Sequence, residues 1–159
     1  MKRSAAERTT PAPAGPRGCT NLKLRQLTRR VGRHYDRIVG ACGLKTTQYS
    51  LLSQIVLRGP MRPGDLARVM EMEASTLTRN LQPLVGNGWI EIGPGADARS
   101  RSVAATPAGV VKRAEAQREW KRAQLALNRR LGEARVVELH ALLDACLALV
   151  TETAADARD

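Results

Sequence analysis

"RPGDLARVMEMEASTLTRNLQPLVGNGWIEI", residues 62–92, holds two short helical patterns separated by only a few residues. In "RPGDLARVM" Leu66 and Val69 stand three apart, which predicts a short helix with both side chains facing inward. In "MEMEASTLTRNLQPLVGNG" Leu77, Leu81 and Leu84 recur at helical steps, so they fix an inner face and turn the polar residues outward. Two such helices joined by a tight turn form a helix-turn-helix. "WIEI" then alternates as a brief strand, and after a loop "SVAA" offers a weak second one. A helix-turn-helix followed by a hairpin is a winged helix.

Longer helices flank this unit. From Cys19 to about Ala41, Leu24, Leu27, Val31, His34 and Ile38 form a stripe at three- and four-residue steps, with Arg25, Arg29, Arg30, Arg33 and Arg37 on the other faces. "CGLK" stops that helix at Gly43, and Thr46 is the expected cap of a second, "TQYSLLSQIVL", which ends at Gly59-Pro60. "TPAG" starts another helix with Thr106 at the N-cap and Pro107 at the first helical position. It runs to about Arg130, and after a break at Gly132 a last amphipathic helix carries "VVELHALLDACLALV". A lone chain would leave Leu125, Leu139, Leu142, Leu143, Cys146 and Leu149 partly wet, and pairing with a second copy removes that patch.

The fold expected is mainly α with a small β-hairpin, a winged helix-turn-helix between N- and C-terminal dimerisation helices. Residues 1–18 read as a disordered basic arm, 19–45 and 107–155 as dimerisation helices, and 46–106 as the winged unit.

Charge narrows the function. The 159 residues hold 26 Lys+Arg against 15 Asp+Glu, a net +11, and Arg outnumbers Lys. Such an excess points to a polyanion, with guanidinium groups suited to phosphate and base edges. No window approaches the roughly 18 apolar residues of a spanning helix, so a membrane partner is not expected. The N-terminal stretch is basic but lacks the apolar core of a secretory signal. Cys19, Cys42 and Cys146 are odd in number and without a CxxC pair, which reads as reduced thiols in a cytoplasmic protein, with no disulfide framework and no metal site. No GxGxxG, Walker loop, HExxH or GxSxG occurs and the only histidines are His34 and His140, so neither catalytic residues nor a cofactor are expected.

Three stretches in register, "GDLARVMEM", "ASTLTRNLQPLVGNGWIEI" and "DARSRSVAATPAG", resemble the MarR (multiple antibiotic resistance regulator) family of transcription factors. The resemblance extends from about Thr20 to Val150. It implies that Ala74 to Val85 is the recognition helix, with Ser75, Thr76, Thr78, Arg79 and Gln82 toward the major groove and Asn80 on the flank. It further implies that a wing from Glu91 to Ser102 carries Arg99 and Arg101 to the minor groove or its phosphates, with Asp97 pairing with an arginine to hold the wing's shape. Two departures stand out. Ala74 replaces a basic residue common in relatives, and Pro83 inside the recognition helix removes its bond to the Arg79 carbonyl, so a kink is expected there.

Two exposed arginines on a Gly- and Ala-rich loop would ordinarily be solvated charge. After a helix-turn-helix and a strand, they become a wing suited to the negative potential of a narrow minor groove. The resemblance also implies a small aromatic effector, carboxylate or phenolic, bound between the dimerisation helices and the winged unit. Arg33, His34, Tyr49 and Trp120 are the candidates to hold it, although His34 reads equally as a satisfied histidine in an interface. Cys19, at the start of the first helix, is a redox candidate as in the hydroperoxide-sensing branch of the family, whereas Cys146 reads as packing. The reading is therefore a homodimeric, effector-released repressor on a pseudo-palindromic double-stranded operator. Its rivals are an oxidant-sensing repressor using Cys19 and a non-specific architectural DNA binder.

Overall fold

The winged unit is carried on a long helix that starts where the hairpin ends. The computed structural model describes residues 15–95 and 100–156, of which 151–156 are described in backbone only. The order is α1 (Thr20–Val39), a 3₁₀ turn (Gly40–Cys42), α2 (Thr46–Arg58), α3 (Pro63–Val69), α4 (Ala74–Gly86), β1 (Ile90–Pro94), β2 (Arg101–Ala105), α5 (Pro107–Leu131) and α6 (Glu133–Asp156). Among the described residues no helix is long and apolar enough to cross a membrane.

α1 ends at Val39, a 3₁₀ turn carries the chain through Cys42, and Gly43, in the left-handed region at φ 78°, turns it toward α2. Burial on α1 falls on Tyr35 and Val39, while Leu24 and Leu27 are exposed. Thr46 is not the cap of α2. Lys45 holds the cap position, its backbone N–H donates to Gln48 Oε1 at 2.9 Å, and the Thr46 N–H donates to Asp36 Oδ1 at 2.8 Å. A carboxylate from α1 thus serves the free amide end of α2.

The core is made by Val39, Leu44, Leu51, Leu52, Ile55, Leu66, Leu77, Leu81, Leu84, Ile90 and Val103. Val69, expected inside, is 39% exposed, because α3 ends there and Leu66 and Ala67 take its inner positions. Glu71 follows with φ 49°, in the turn that leads to α4. α4 continues through Pro83 to Gly86, and Asn87 Nδ2 and N–H both donate to the Pro83 carbonyl.

The hairpin pairs Ile90 with Ala105, Ile92 with Val103 and Pro94 with Arg101. Met61, between α2 and α3, adds a bridge that the sequence did not reveal. It exchanges backbone bonds with Val103 at 3.1 and 2.9 Å, tying the helix-turn-helix to the wing. Thr106 caps α5 as expected, accepting from the Gly109 N–H at 3.0 Å. Its hydroxyl donates in turn to the Gly88 carbonyl, and its N–H donates to the Trp89 carbonyl at 3.1 Å. Gly132, at φ 85°, separates α5 from α6.

Candidate nucleic-acid interface and effector cavity

α4 is amphipathic in the sense its sequence suggests. Leu77, Leu81 and Leu84 are buried at 2%, 3% and 0% exposure, and Ser75, Thr76, Thr78, Arg79 and Gln82 are all exposed. With the leucines fixed against Leu52, Ile55 and Leu66, the polar row cannot rotate inward without exposing the core. Thr78 of this row and Asn80 on its flank fold back on the helix. Thr78 Oγ1 donates to the Ala74 carbonyl and Asn80 Nδ2 to the Thr76 carbonyl, both at 2.9 Å. The Thr78 hydroxyl spends its single proton there and keeps acceptor capacity, while Ser75, Arg79 and Gln82 supply the outward donors.

Arg101 lies in β2, opposite Pro94, and is exposed. It is therefore held by the ladder and does not stand on the loop beyond it. Arg99 and Asp97 lie outside the described residues. At the foot of the wing a cleft is lined by Pro60, Met61, Arg62, Asp65, Pro94, Gly95 and Ser102. It separates the start of α3 from the hairpin, and Asp65 there pairs with Arg68 at 3.1 Å.

The four effector candidates do not converge on one cavity. Trp120 lines an apolar cavity of about 440 Å³ between α1, α5 and the start of α6, with Leu24, Leu27, Val31, Tyr35, Val136 and Leu143 among its walls. Arg33 and His34 lie on a different cleft, beside Arg30 and Arg130. Tyr49 is buried in the core, its ring 6.1 Å from that of Trp120. The reason is helical: Thr28, Val31, Gly32 and Tyr35 share one face of α1, and Arg30, Arg33 and His34 share the next.

Beside Thr28, Thr46 and His140, the polar groups of the apolar cavity include a hydrogen-bonded row along one wall. The Tyr35 hydroxyl donates to Gln124 Oε1, and Gln124 Nε2 donates to Asn128 Oδ1 at 2.8 Å. Burial of Tyr35 holds its phenol above the ordinary tyrosine pKa, so it stays neutral. Neither lysine nor arginine lines this cavity. Its chemistry suits an uncharged, largely apolar molecule with one or two hydrogen-bonding groups. His34 has a partner of its own, since Nε2 lies 2.9 Å from the Ala123 carbonyl and must carry the proton to bond it.

Cys19 is exposed at the N-cap position of α1. Tyr35 stands sixteen residues further along the same straight helix, about 24 Å away at 1.5 Å per residue. Tyr49 is buried in the core on α2, whereas Cys19 is exposed at the far end of α1. Neither tyrosine hydroxyl therefore partners the Cys19 thiol within one chain. Cys146 is exposed on α6, and Cys42 is buried with its thiol 3.0 Å from the Val39 carbonyl.

Comparison with known proteins places this geometry. Residues 44–95 match the model of the MarR family. An uncharacterized HTH-type transcriptional regulator of Bacillus subtilis (strain 168), YwoH, is 29% identical over 84 residues, which cover 53% of this chain and 61% of that protein. Among solved structures, a cysteine-to-serine mutant of MarR from E. coli complexed with operator DNA is similar, with TM-score 0.73 and 22% identity over 80% of this chain and 92% of that one. A probable transcriptional regulator from Pseudomonas aeruginosa matches with TM-score 0.74 and 23% identity over 80% and 96% of the two chains. The M. tuberculosis transcriptional regulator MOSR in complex with DNA matches with TM-score 0.66 and 29% identity over 81% and 98%.

Proposed function

We propose that the chain, whose residues 44–95 match the MarR family model, is a member of that family and a homodimeric transcriptional repressor that binds a pseudo-palindromic DNA operator. The carrying observation is the exposed row Ser75, Thr76, Thr78, Arg79 and Gln82, backed by buried leucines and set beside a hairpin bearing Arg101. Arg79 and Gln82 offer donors and acceptors for base edges, and Ser75 and Thr76, in the first turn of α4, suit phosphate contacts. Arg101, with Arg99 and Asp97 before it in the sequence, serves the minor groove. MarR and MOSR have each been crystallised with DNA, which supports the same use of this face here.

The apolar surface of α6 supports a second copy. Val137, Leu142, Leu147, Leu149 and Val150 are all more than half exposed in the single chain, as is Leu125 on α5. A helix apolar on nearly every side is one destined for burial. Two-fold pairing through these helices sets two recognition helices on half-sites about one helical turn apart.

The effector belongs in the cavity lined by Tyr35, Trp120, Gln124 and Asn128, and of the two aromatic classes a phenol suits it better than a carboxylate. Its occupation releases DNA only through a difference in affinity between the two dimer arrangements. Anisotropy titration of labelled DNA from upstream of its own gene, against a scrambled duplex of equal length, tests the reading. A clear preference for the native sequence, reduced by added phenols, is expected. Equal binding of both duplexes would indicate an architectural DNA binder.

A further inference from the structure

On the face of the α1–α5 seam next to the effector cavity lies a second cleft, of about 590 Å³, lined by Leu27, Arg30, Val31, Arg33, His34, Leu127, Arg130 and Leu131. Leu27, Val31, Leu127 and Leu131 line both hollows and form the partition between them. The two therefore share an apolar wall but differ in charge. The cleft has three guanidinium groups and no acidic residue in its lining, whereas the cavity has no guanidinium or ammonium group and His140 is its one basic side chain.

Among the described residues, Arg30, Arg33 and Arg130 have no ion-pair or hydrogen-bond partner, unlike Arg68 and Arg122, which pair with acids three residues away. Arg30 and Arg33 are one helical turn apart on α1, and Arg130 approaches from α5. His34 spends Nε2–H on the Ala123 carbonyl, which leaves Nδ1 as the ring's remaining polar atom. All three are exposed, so water and salt screen most of their mutual repulsion, and an anion lying between them would gain from each.

We propose that this cleft is a second ligand site, taking a phosphate monoester with an apolar tail. Its volume falls within the ordinary range of small-molecule sites. Three guanidinium groups match a dianionic phosphate head, with several acceptor oxygens, better than a single carboxylate. The floor of Leu27, Val31, Leu127 and Leu131 covers the tail. That floor also argues against DNA as the occupant, because a nucleic-acid backbone has no use for four aliphatic side chains. The site goes beyond the regulator reading and is defined by binding alone, without DNA.

The test is calorimetric titration of the full chain, in the absence of DNA and below the micellar concentration, with decyl phosphate, decanoate, decanol and inorganic phosphate. Decyl phosphate is expected to bind saturably, with decanoate about tenfold weaker and decanol and inorganic phosphate showing no saturable heat. Arg33→Gln and Arg130→Gln are each expected to weaken decyl phosphate by about tenfold, the loss of one charge-assisted contact, while leaving the thermal transition in place. Vesicles containing phosphatidic acid separate a free amphiphile from a lipid surface. Binding to vesicles with none to soluble decyl phosphate would overturn the proposal. So would equal affinity for decanol, or unchanged affinity in both variants. A change of sedimentation in the two variants, with no decyl phosphate bound by the wild type, would make the cleft a subunit contact and overturn it equally. Because DNA is absent throughout, these outcomes are independent of operator recognition.

Discussion

A β-carbon added to Gly109 would collide with the Trp89 carbonyl oxygen and stand 2.8 Å from its carbonyl carbon, so α5 and the corner between α4 and β1 meet backbone to backbone. Thr106 reinforces the contact through the Gly88 and Trp89 carbonyls, and Lys112 Nζ lies 5.2 Å from the centre of the Trp89 ring. α4 therefore hangs from the first turn of α5. The other end of α5 forms the wall shared by the cavity and the basic cleft. A shift of α5 has a direct mechanical route to the polar row of α4.

Gly109→Ala should destabilise the fold by about 1–3 kcal/mol, as overpacking against rigid backbone does. Gly64→Ala, on an exposed turn of α3 with nothing within 4 Å of the new methyl, should instead be neutral or stabilising by up to about 1 kcal/mol. Urea unfolding of both variants checks the pair. Equal stability of the two would mean that the α5 contact is loose.

Asp36→Ala should lower stability by about 0.5–2 kcal/mol, since it removes the acceptor for the Thr46 amide at the start of α2. Thermal melts of both proteins check this, and equal transitions would mean that the carboxylate does not serve the end of α2.

Burial raises the pKa of Tyr35 in the folded chain above its ordinary value near 10. The neutral phenol is the form the fold prefers, so its contribution is complete below about pH 10 and declines as pH rises through the folded-state pKa. Tyr35→Phe should flatten the alkaline limb of the stability curve. An unchanged limb in this variant would assign the alkaline loss to other groups.

Much of this was legible in the chain because buried leucines at helical steps identify a helix and its inner face together. Leu77, Leu81 and Leu84 do this for α4, and they alone orient the polar row. The Met61–Val103 bridge was not legible, since one residue pair has no period to detect. Neither was the close contact of Gly109, which follows from where Trp89 lies in space and not from the TPAG stretch. Val69 misled because a seven-residue helix gives its last position no neighbour to cover it. Arg33 and His34 were grouped with Trp120 by residue type, whereas the faces of α1 divide them between two hollows. Arg30 and Arg130 were invisible as site residues because surface arginines are ordinary until a shared cleft gathers them.

Arg101→Ala should weaken operator binding by about 1–3 kcal/mol without altering the dimer. Arg79→Ala should also relax preference at one or two base positions, because a recognition-helix arginine reads guanine edges. Binding isotherms on single-position operator variants separate a uniform loss from a positional one. Wild-type affinity in Arg101→Ala would remove β2 from the interface.

The most direct measurement is selection of bound duplexes from a random pool at two salt concentrations, followed by sequencing. A two-fold DNA-reading dimer should enrich an inverted repeat with half-site centres about 10–11 base pairs apart. Affinity for it should fall with salt at a log–log slope of about −5 to −9, as six to ten phosphate contacts require. A pool that stays random after several rounds, or binding insensitive to salt, would contradict sequence-specific recognition by this chain.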